Sequence, residues 1–164
     1  MIQKNKHIFV FGIFAVDISF YVDKKVKPGE TIIAKSSNIG PGGKASNQAI
    51  SARKLGATTT LITRLGDDNF NSYANNIWRK EKLFTSIKIE KNLPTGMAGI
   101  FIDNKTGENS VIVDPGASAH LCVDDFYSQK SKMKKGDIFL TQFEQSSDTT
   151  FAVLKEAREL GMIT

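Results

Sequence analysis

The chain has 164 residues, of which 40% are hydrophobic and 24% charged, with 22 basic against 17 acidic side chains and a formal net charge of +5. That length supports one substantial core in one domain, and the composition excludes collagen-like, low-complexity and disordered classes. The positive balance admits an anionic partner, but the lysines are scattered. The densest groups, Lys24-Lys25-x-Lys27 and Lys130-x-Lys132-x-Lys134-Lys135, lack interleaved aromatics and read as solvated faces, not a nucleic-acid surface.

Lys4 and Lys6 precede an apolar run over 8–16, a superficial signal-peptide pattern. The run ends in Asp17 without a small-x-small cleavage site and is too short to span a bilayer, so no membrane role is expected. Its Phe, Val and Ile content suits a strand over about 7–14, apolar on both faces and buried inside a sheet. Asp17 then emerges near the carboxyl end of that strand, where open α/β sheets bind ligands. An exposed loop carboxylate is the alternative. From 18 to 38, Ile18-x-Phe20-x-Val22 and Ile32-x-Ala34 alternate with polar residues around a turn at 27–30, predicting a two-stranded excursion with one wet face.

The stretch Gly40-Pro41-Gly42-Gly43-Lys44-Ala45-Ser46-Asn47 predicts a tight turn that approaches another molecule closely, followed by a helix in which the apolar positions Ala45, Ala49, Ile50, Ala52 and Leu55 recur at roughly helical spacing, with Gly56 as its cap. The first turn of such a helix leaves N–H groups for a polar ligand. A phosphate-cradling Walker A loop fails, because Asn38 stands where glycine is required and Ala45 where a hydroxyl is required. A dinucleotide fingerprint fits Gly40-x-Gly42-x-x-Ala45, yet 34–38 makes a poor buried parallel strand and no acid follows near position 60. Two readings stay open on spacing alone. One is a small-polyol pocket in which Asn47 offers amide donors and an acceptor to a hydroxyl; the other is an ordinary loop with a helix cap.

Further on, a β-branched strand over 58–65 ends at Gly66-Asp67-Asp68, a helix over 69–82 turns Phe70, Tyr73, Ile77 and Trp78 to the core, and a strand covers 86–89. Strands alternating with helices imply right-handed crossovers and a mainly parallel sheet. Asp67 and Asp68 suit a helix cap better than a cation. Runs at 99–102 and 110–113 flank a polar loop and predict a hairpin, for which pairing with the first excursion and covering core are two readings that do not exclude each other. The single Cys122 points to a reducing compartment, and His7 and His120 belong to no zinc-ligand set. A helix over 124–135 leads to a strand over 137–142, with Glu144 just beyond its carboxyl end. Asp17, the Gly42-Gly43 turn and Glu144 therefore share one sheet rim. A last helix from 147 turns Phe151, Leu154, Ala157 and Leu160 inward before Gly161, and 162–164 opens another parallel strand.

The run Gly42-Gly43-Lys44-Ala45-Ser46-Asn47-Gln48-Ala49 resembles the N-terminal sugar-binding signature of the ribokinase-like (phosphofructokinase B type) carbohydrate kinases. Ile13-Phe14-Ala15-Val16-Asp17, Pro28-Gly29-Glu30-Thr31, Leu65-Gly66-Asp67-Asp68, Thr95-Gly96, Asp114-Pro115-Gly116-Ala117-Ser118 and Leu140-Thr141-Gln142-Phe143-Glu144 follow in the family's order, at spacings closest to ribokinase. The resemblance covers nearly the whole chain. It departs from the family at Ala45, usually glycine, and has nothing beyond Thr164.

The resemblance implies a three-layer ribokinase-like α/β fold, with a mainly parallel central sheet and a small β lid, truncated before the nucleotide-binding half. It implies one N-terminal part of a domain over 1–164, with lid segments at about 16–38 and 96–114. Sugar contacts carry over to Asp17, Gly42, Gly43, Lys44, Asn47 and Glu144. The catalytic aspartate of a Gly-Ala-Gly-Asp type loop, the Asn-x-x-Glu segment that helps place Mg2+ and the nucleotide pocket are expected beyond Thr164. The implied activity is ATP-dependent, Mg2+-supported phosphorylation of a sugar hydroxyl, ribose first, by a cytoplasmic homodimer joined through lid strands. The 164-residue chain alone is expected to be inert. A catalytically inert sugar-binding or dimerisation module is the alternative of another class.

Overall fold

The first described strand, β1 (His7–Phe11), sends Phe9 and Phe11 to one side and Val10 to the other, and all three are fully buried. Two apolar faces on one strand require a layer on each side of its sheet. In this computed structural model, which describes residues 6–164, the chain then forms β2 (Ala15–Val22), β3 (Ser36–Gly42), α1 (Lys44–Lys54), β4 (Thr58–Gly66), α2 (Asn69–Lys80) and β5 (Phe84–Glu90). It continues through β6 (Thr95–Asp103), β7 (Asn109–Gly116), a 3-10 turn (Ala117–His120), α3 (Val123–Lys130), β8 (Ile138–Thr141) and α4 (Ser147–Glu159). Lys4 of the basic N-terminal pair lies outside the described residues.

The central sheet is parallel throughout, in the order β5-β4-β1-β8. Ile163 bridges in parallel to Ile138, so the stretch expected to open a further parallel strand lies beside β8. On one face α1 and α2 bury Ala45, Ala49, Ala74 and Trp78 against Val10, Leu61 and Leu65. On the other, α3 and α4 bury Phe126, Val153 and Ala157 against Phe9, Phe11, Ile62 and Phe139. The Trp78 ring packs edge-on to Phe14 at 5.0 Å, and its indole N–H donates to Ser46 Oγ at 3.0 Å, satisfying the one polar atom it carries inward.

A second, mixed sheet has the order β3-β2-β6-β7. β2 runs antiparallel to β3 and parallel to β6, and β6 and β7 form the expected hairpin. Three local expectations are corrected. Residues 32–34 form no strand; the return arm of the first excursion is β3 instead. Residues 40–42 are not a turn but the end of β3, paired as Asp17↔Gly40 and Ala15↔Gly42, because the edge of β2 supplies backbone partners that outweigh glycine's weak strand preference. Phe151 is 62% exposed and packs on Phe143, since the inward stripe of α4 is Thr150, Val153 and Ala157.

Asp68 caps α2 by accepting from the amides of Phe70 at 3.0 Å and Asn71 at 3.1 Å. It also accepts from the Thr95 amide at 2.7 Å and the Thr95 hydroxyl at 2.8 Å, which ties the start of β6 to the helix. Burial opposes its charge, but these donors outweigh burial and hold the carboxyl below its ordinary value.

Candidate functional site

The site is built on the passage between the two sheets. After Gly12 ends β1, the chain crosses to β2, and Asp17 lies two residues into that strand, half-buried. Gly42 lies alongside. A methyl group there would overlap Oδ1 and Cγ of Asp17 outright and come within 2.5 Å of Oδ2, so glycine at 42 is what gives the carboxylate its room. Gly43 precedes α1 with φ 80° and ψ 128°, a conformation open mainly to glycine. A Cβ at Gly43 would come within 2.5 Å of the Ile13 carbonyl and 2.7 Å of the Phe14 Cα, so it meets backbone that cannot move aside.

The first turn of α1 follows directly. The Lys44 amide, one of the unpaired donors of the helix start, donates to Glu144 Oε2 at 3.3 Å, and the Lys44 ammonium donates to Glu144 Oε1. Glu144 arrives from the opposite direction, in the loop between β8 and α4. Its negative charge reaches Asp17: burial, reinforced by Glu144, raises the Asp17 carboxyl above its ordinary value. Among the described residues no group donates a hydrogen bond to the Asp17 carboxylate. Two acids and one exposed ammonium thus meet at the rim where β2, β3 and α1 converge.

Of the residues expected from the sequence, the structure gathers Asp17, Gly42, Gly43, Lys44 and Glu144. Asn47 stands in the same first turn of α1, its amide bonded to the Gly43 carbonyl at 3.0 Å. Its side chain is exposed and makes no hydrogen bond among the described residues. A hollow of about 510 Å3 lies elsewhere, at the far end of the second sheet between Val22, Lys25, Phe101 and Ser110. The rim is the stronger candidate, because there the fold brings together charged groups with unused hydrogen-bonding capacity.

Two groups of residues escape sequence reading. Gln142, beside the site, donates to Gln48 Oε1 on α1. Away from it, Arg64 lies buried with its guanidinium on Asp125 at 2.8 Å, Glu90 at 2.8 Å and Cys122 Sγ at 2.9 Å. The only available signal for the second was an arginine within an otherwise apolar and β-branched strand, which a buried position must neutralise.

Residues 5–161 match the pfkB family of carbohydrate kinases. A ribokinase from Dictyostelium discoideum is 36% identical over 156 residues, covering 94% of this chain and 49% of that protein. The solved ribokinase of Giardia lamblia superposes with a TM-score of 0.86 at 27% identity, covering 97% of this chain and 49% of that one. The ribokinase of Arabidopsis thaliana, solved in complex with ribose and ATP, gives a TM-score of 0.80 at 26% identity, covering 96% and 52%. The fold is ribokinase-like, and the chain spans about half the length of the relatives it matches.

Proposed function

Because this chain belongs to the pfkB family of carbohydrate kinases, we propose that its rim of Asp17, Gly42, Gly43, Lys44, Asn47 and Glu144 binds the acceptor in a kinase that transfers the terminal phosphate of ATP to a sugar hydroxyl. Ribose is the first candidate, since the relatives above are ribokinases. The observation that carries the reading is Asp17: a half-buried carboxylate, beside a second acid, that accepts nothing from the described residues. A carboxylate withdrawn from water without donors is unfavourable until donors arrive, and adjacent sugar hydroxyls are donors. Gly42 leaves room for the Asp17 carboxylate and Gly43 lets α1 start against the Ile13 carbonyl, while Lys44 and Asn47 offer donors from one helix turn.

Among the described residues no group of three or more His, Cys, Asp or Glu side chains is gathered to hold a metal. The proposed part of this chain is to bind and orient the acceptor. Magnesium and ATP enter through the family. The segments 16–38 and 96–114 are proposed as a lid over the sugar, since they build the second sheet around Asp17. The strands alternate, so Ile18, Phe20, Ile39, Phe101 and Ile112 stand on the face opposite Asp17. Ile112 is 70% and Ile39 54% exposed, which supports homodimerisation through that face and, as a second reading, a non-catalytic sugar-binding or dimerisation module. Among the described residues no helix is long and apolar enough to cross a membrane. The free Cys122 supports our placing the protein in the reducing cytoplasm.

Calorimetry with ribose tests the binding role. Heat of binding in the native chain that vanishes in Asp17→Ala, with the fold retained, is the expected result; no binding by the native chain would overturn the reading. ATP-dependent phosphorylation of ribose by the pure 164-residue chain is expected to be absent.

A further inference from the structure

Glu144 reaches Lys44 across a sequence separation of 100 residues, from a loop whose own course needs explaining. Two residues that bracket it are buried, Gln142 at 8% and Gln145 at 6% exposed, while Phe143 is turned outward at 67%. Gln145 Nε2 donates to Thr141 Oγ1 at 2.8 Å, to the Gln142 carbonyl at 2.5 Å and to Thr150 Oγ1 at 2.8 Å, closing the loop upon itself and on α4. Gln142 points the other way. Its Nε2 donates to Gln48 Oε1 on α1, one helix turn beyond Lys44.

The slot that holds the Gln142 carboxamide lies between the end of β1 and the first turn of α1. A Cβ at Gly12 would collide with Gln142 Oε1 and come within 2.9 Å of the Ala45 methyl, so the slot exists because residue 12 is glycine. Within it, Gln142 Oε1 is buried with no hydrogen-bond partner among the described residues. A buried amide oxygen left unpaired is destabilising, and an unbranched apolar side chain of the same length would fill the slot without that cost. Stability therefore does not account for glutamine at this position. Its other half does something an apolar residue cannot: it joins the Glu144 loop to the helix that carries Lys44.

We infer that Gln142 is a positioning residue, whose bond to Gln48 fixes the β8–α4 loop against α1 and thereby sets Glu144 on Lys44 and beside Asp17. The geometric claim stands independently; its consequence for sugar affinity rests on the binding role proposed above.

The test separates the two. In the 15N-labelled 164-residue chain, Glu144→Gln should move the Lys44 amide signal, because it removes the charge that this amide faces. Gln142→Met keeps side-chain length but cannot donate. The expected result is that the Glu144-dependent shift at Lys44 is largely lost, while the Trp78 indole signal, which reports the Ser46 contact, stays in place. Gln48→Met, cutting the same bond from α1, should do likewise, and Gln142→Glu, which can accept from the Gln48 amide, should restore part of the shift. A native Glu144-dependent shift at Lys44 in Gln142→Met overturns the inference. So does a native chain with no such shift, or unfolding of both Met variants, which would make the bond a requirement of the fold itself. If ribose binds, Gln142→Met should weaken it roughly tenfold, the size of one lost hydrogen bond to a charged group, and add nothing in a Glu144→Ala background. Additive losses there overturn the positioning role, whereas absence of ribose binding alongside a normal Lys44 response counts only against the sugar reading.

Discussion

Gly42 and Gly43 are neighbours in one motif, yet they should fail for different reasons when given a methyl group. At Gly42 the obstacle is a side chain: the new Cβ overlaps the Asp17 carboxylate. Asp17 must leave its rotamer and press into its surroundings, at about 1–2 kcal/mol from off-rotamer strain and overpacking. The Gly42 backbone is not in the left-handed region, so the alanine returns roughly 0.5 kcal/mol by restricting the unfolded chain. In an Asp17→Ala background the obstacle is gone and Gly42→Ala should be neutral or slightly stabilising, which gives a coupling of about 1–2 kcal/mol. At Gly43 the obstacle is the Ile13 carbonyl and the Phe14 Cα, and φ is 80°. Gly43→Ala should therefore destabilise by about 3 kcal/mol or more, with no relief from Asp17→Ala. Urea unfolding followed by Trp78 fluorescence, with m-values checked for constancy, measures all the variants. Effects of Gly42→Ala and Asp17→Ala that add to within about 0.5 kcal/mol would refute the claim that glycine at 42 exists to make room for the carboxylate.

Other consequences are local and separately measurable. Asp68→Ala removes an acceptor for four donors at the start of α2 and of β6 and should lower stability by about 2 kcal/mol in urea melts, with Thr95→Val recovering only part of that loss. Burial lowers the His7 imidazole below its ordinary value against a weaker opposing pull from Asp137. The unfolded chain therefore takes up the proton first, and stability should fall as pH drops from about 6.5 through the lowered folded value. His7→Gln should flatten that part of the stability curve, and an unchanged curve would count against the burial. On the outer face of the second sheet, Ile112→Asp should convert any dimer to monomer in sedimentation runs without loss of the fold, because Ile112 is 70% exposed in the single chain.

Much of the layered fold was legible because periodicity is local. An apolar run on both faces of 7–11 fixes a central strand, and strands alternating with helices fix parallel connections. Gly40-Pro41-Gly42 was misleading for the complementary reason. Glycine and proline argue for a turn in isolation, and only the β2 edge, brought alongside in the folded chain, makes these residues a strand. The Gln142–Gln48 and Arg64–Asp125 contacts span separations of 94 and 61 residues, and polar partners so far apart leave no spacing to count. Phe151 shows the remaining kind of error. An aromatic at helical spacing predicts an inward side chain, but Thr150 takes the buried position, its hydroxyl donating to the Ser146 carbonyl at 3.0 Å.

The strongest contrast at the rim comes from the other acids in the same chain. Asp68 is held by amides and the Thr95 hydroxyl, Asp125 by Arg64 and the Cys122 amide, and Asp137 by the amides of His7 and Lys134. Each of those carboxylates is supplied with donors by folding alone. Asp17 is not, and burial together with Glu144 pushes its carboxyl upward, so the folded chain holds its proton more tightly than the unfolded chain does. That sign makes ionised Asp17 a cost: its stability is fully present below the ordinary carboxylate value and is lost as pH rises through the raised folded value. Asp17→Asn should then be more stable than the native chain at neutral pH, with the difference closing as pH falls toward about 4. The same substitution should weaken ribose, since an amide oxygen is a poorer acceptor than a carboxylate and its NH2 group faces hydroxyls that need one. Gain of stability with loss of binding is what a residue kept for a ligand must show. An Asp17→Asn chain that is less stable at neutral pH, or that binds ribose as the native chain does, would break the connection between the unpaired acid and the sugar.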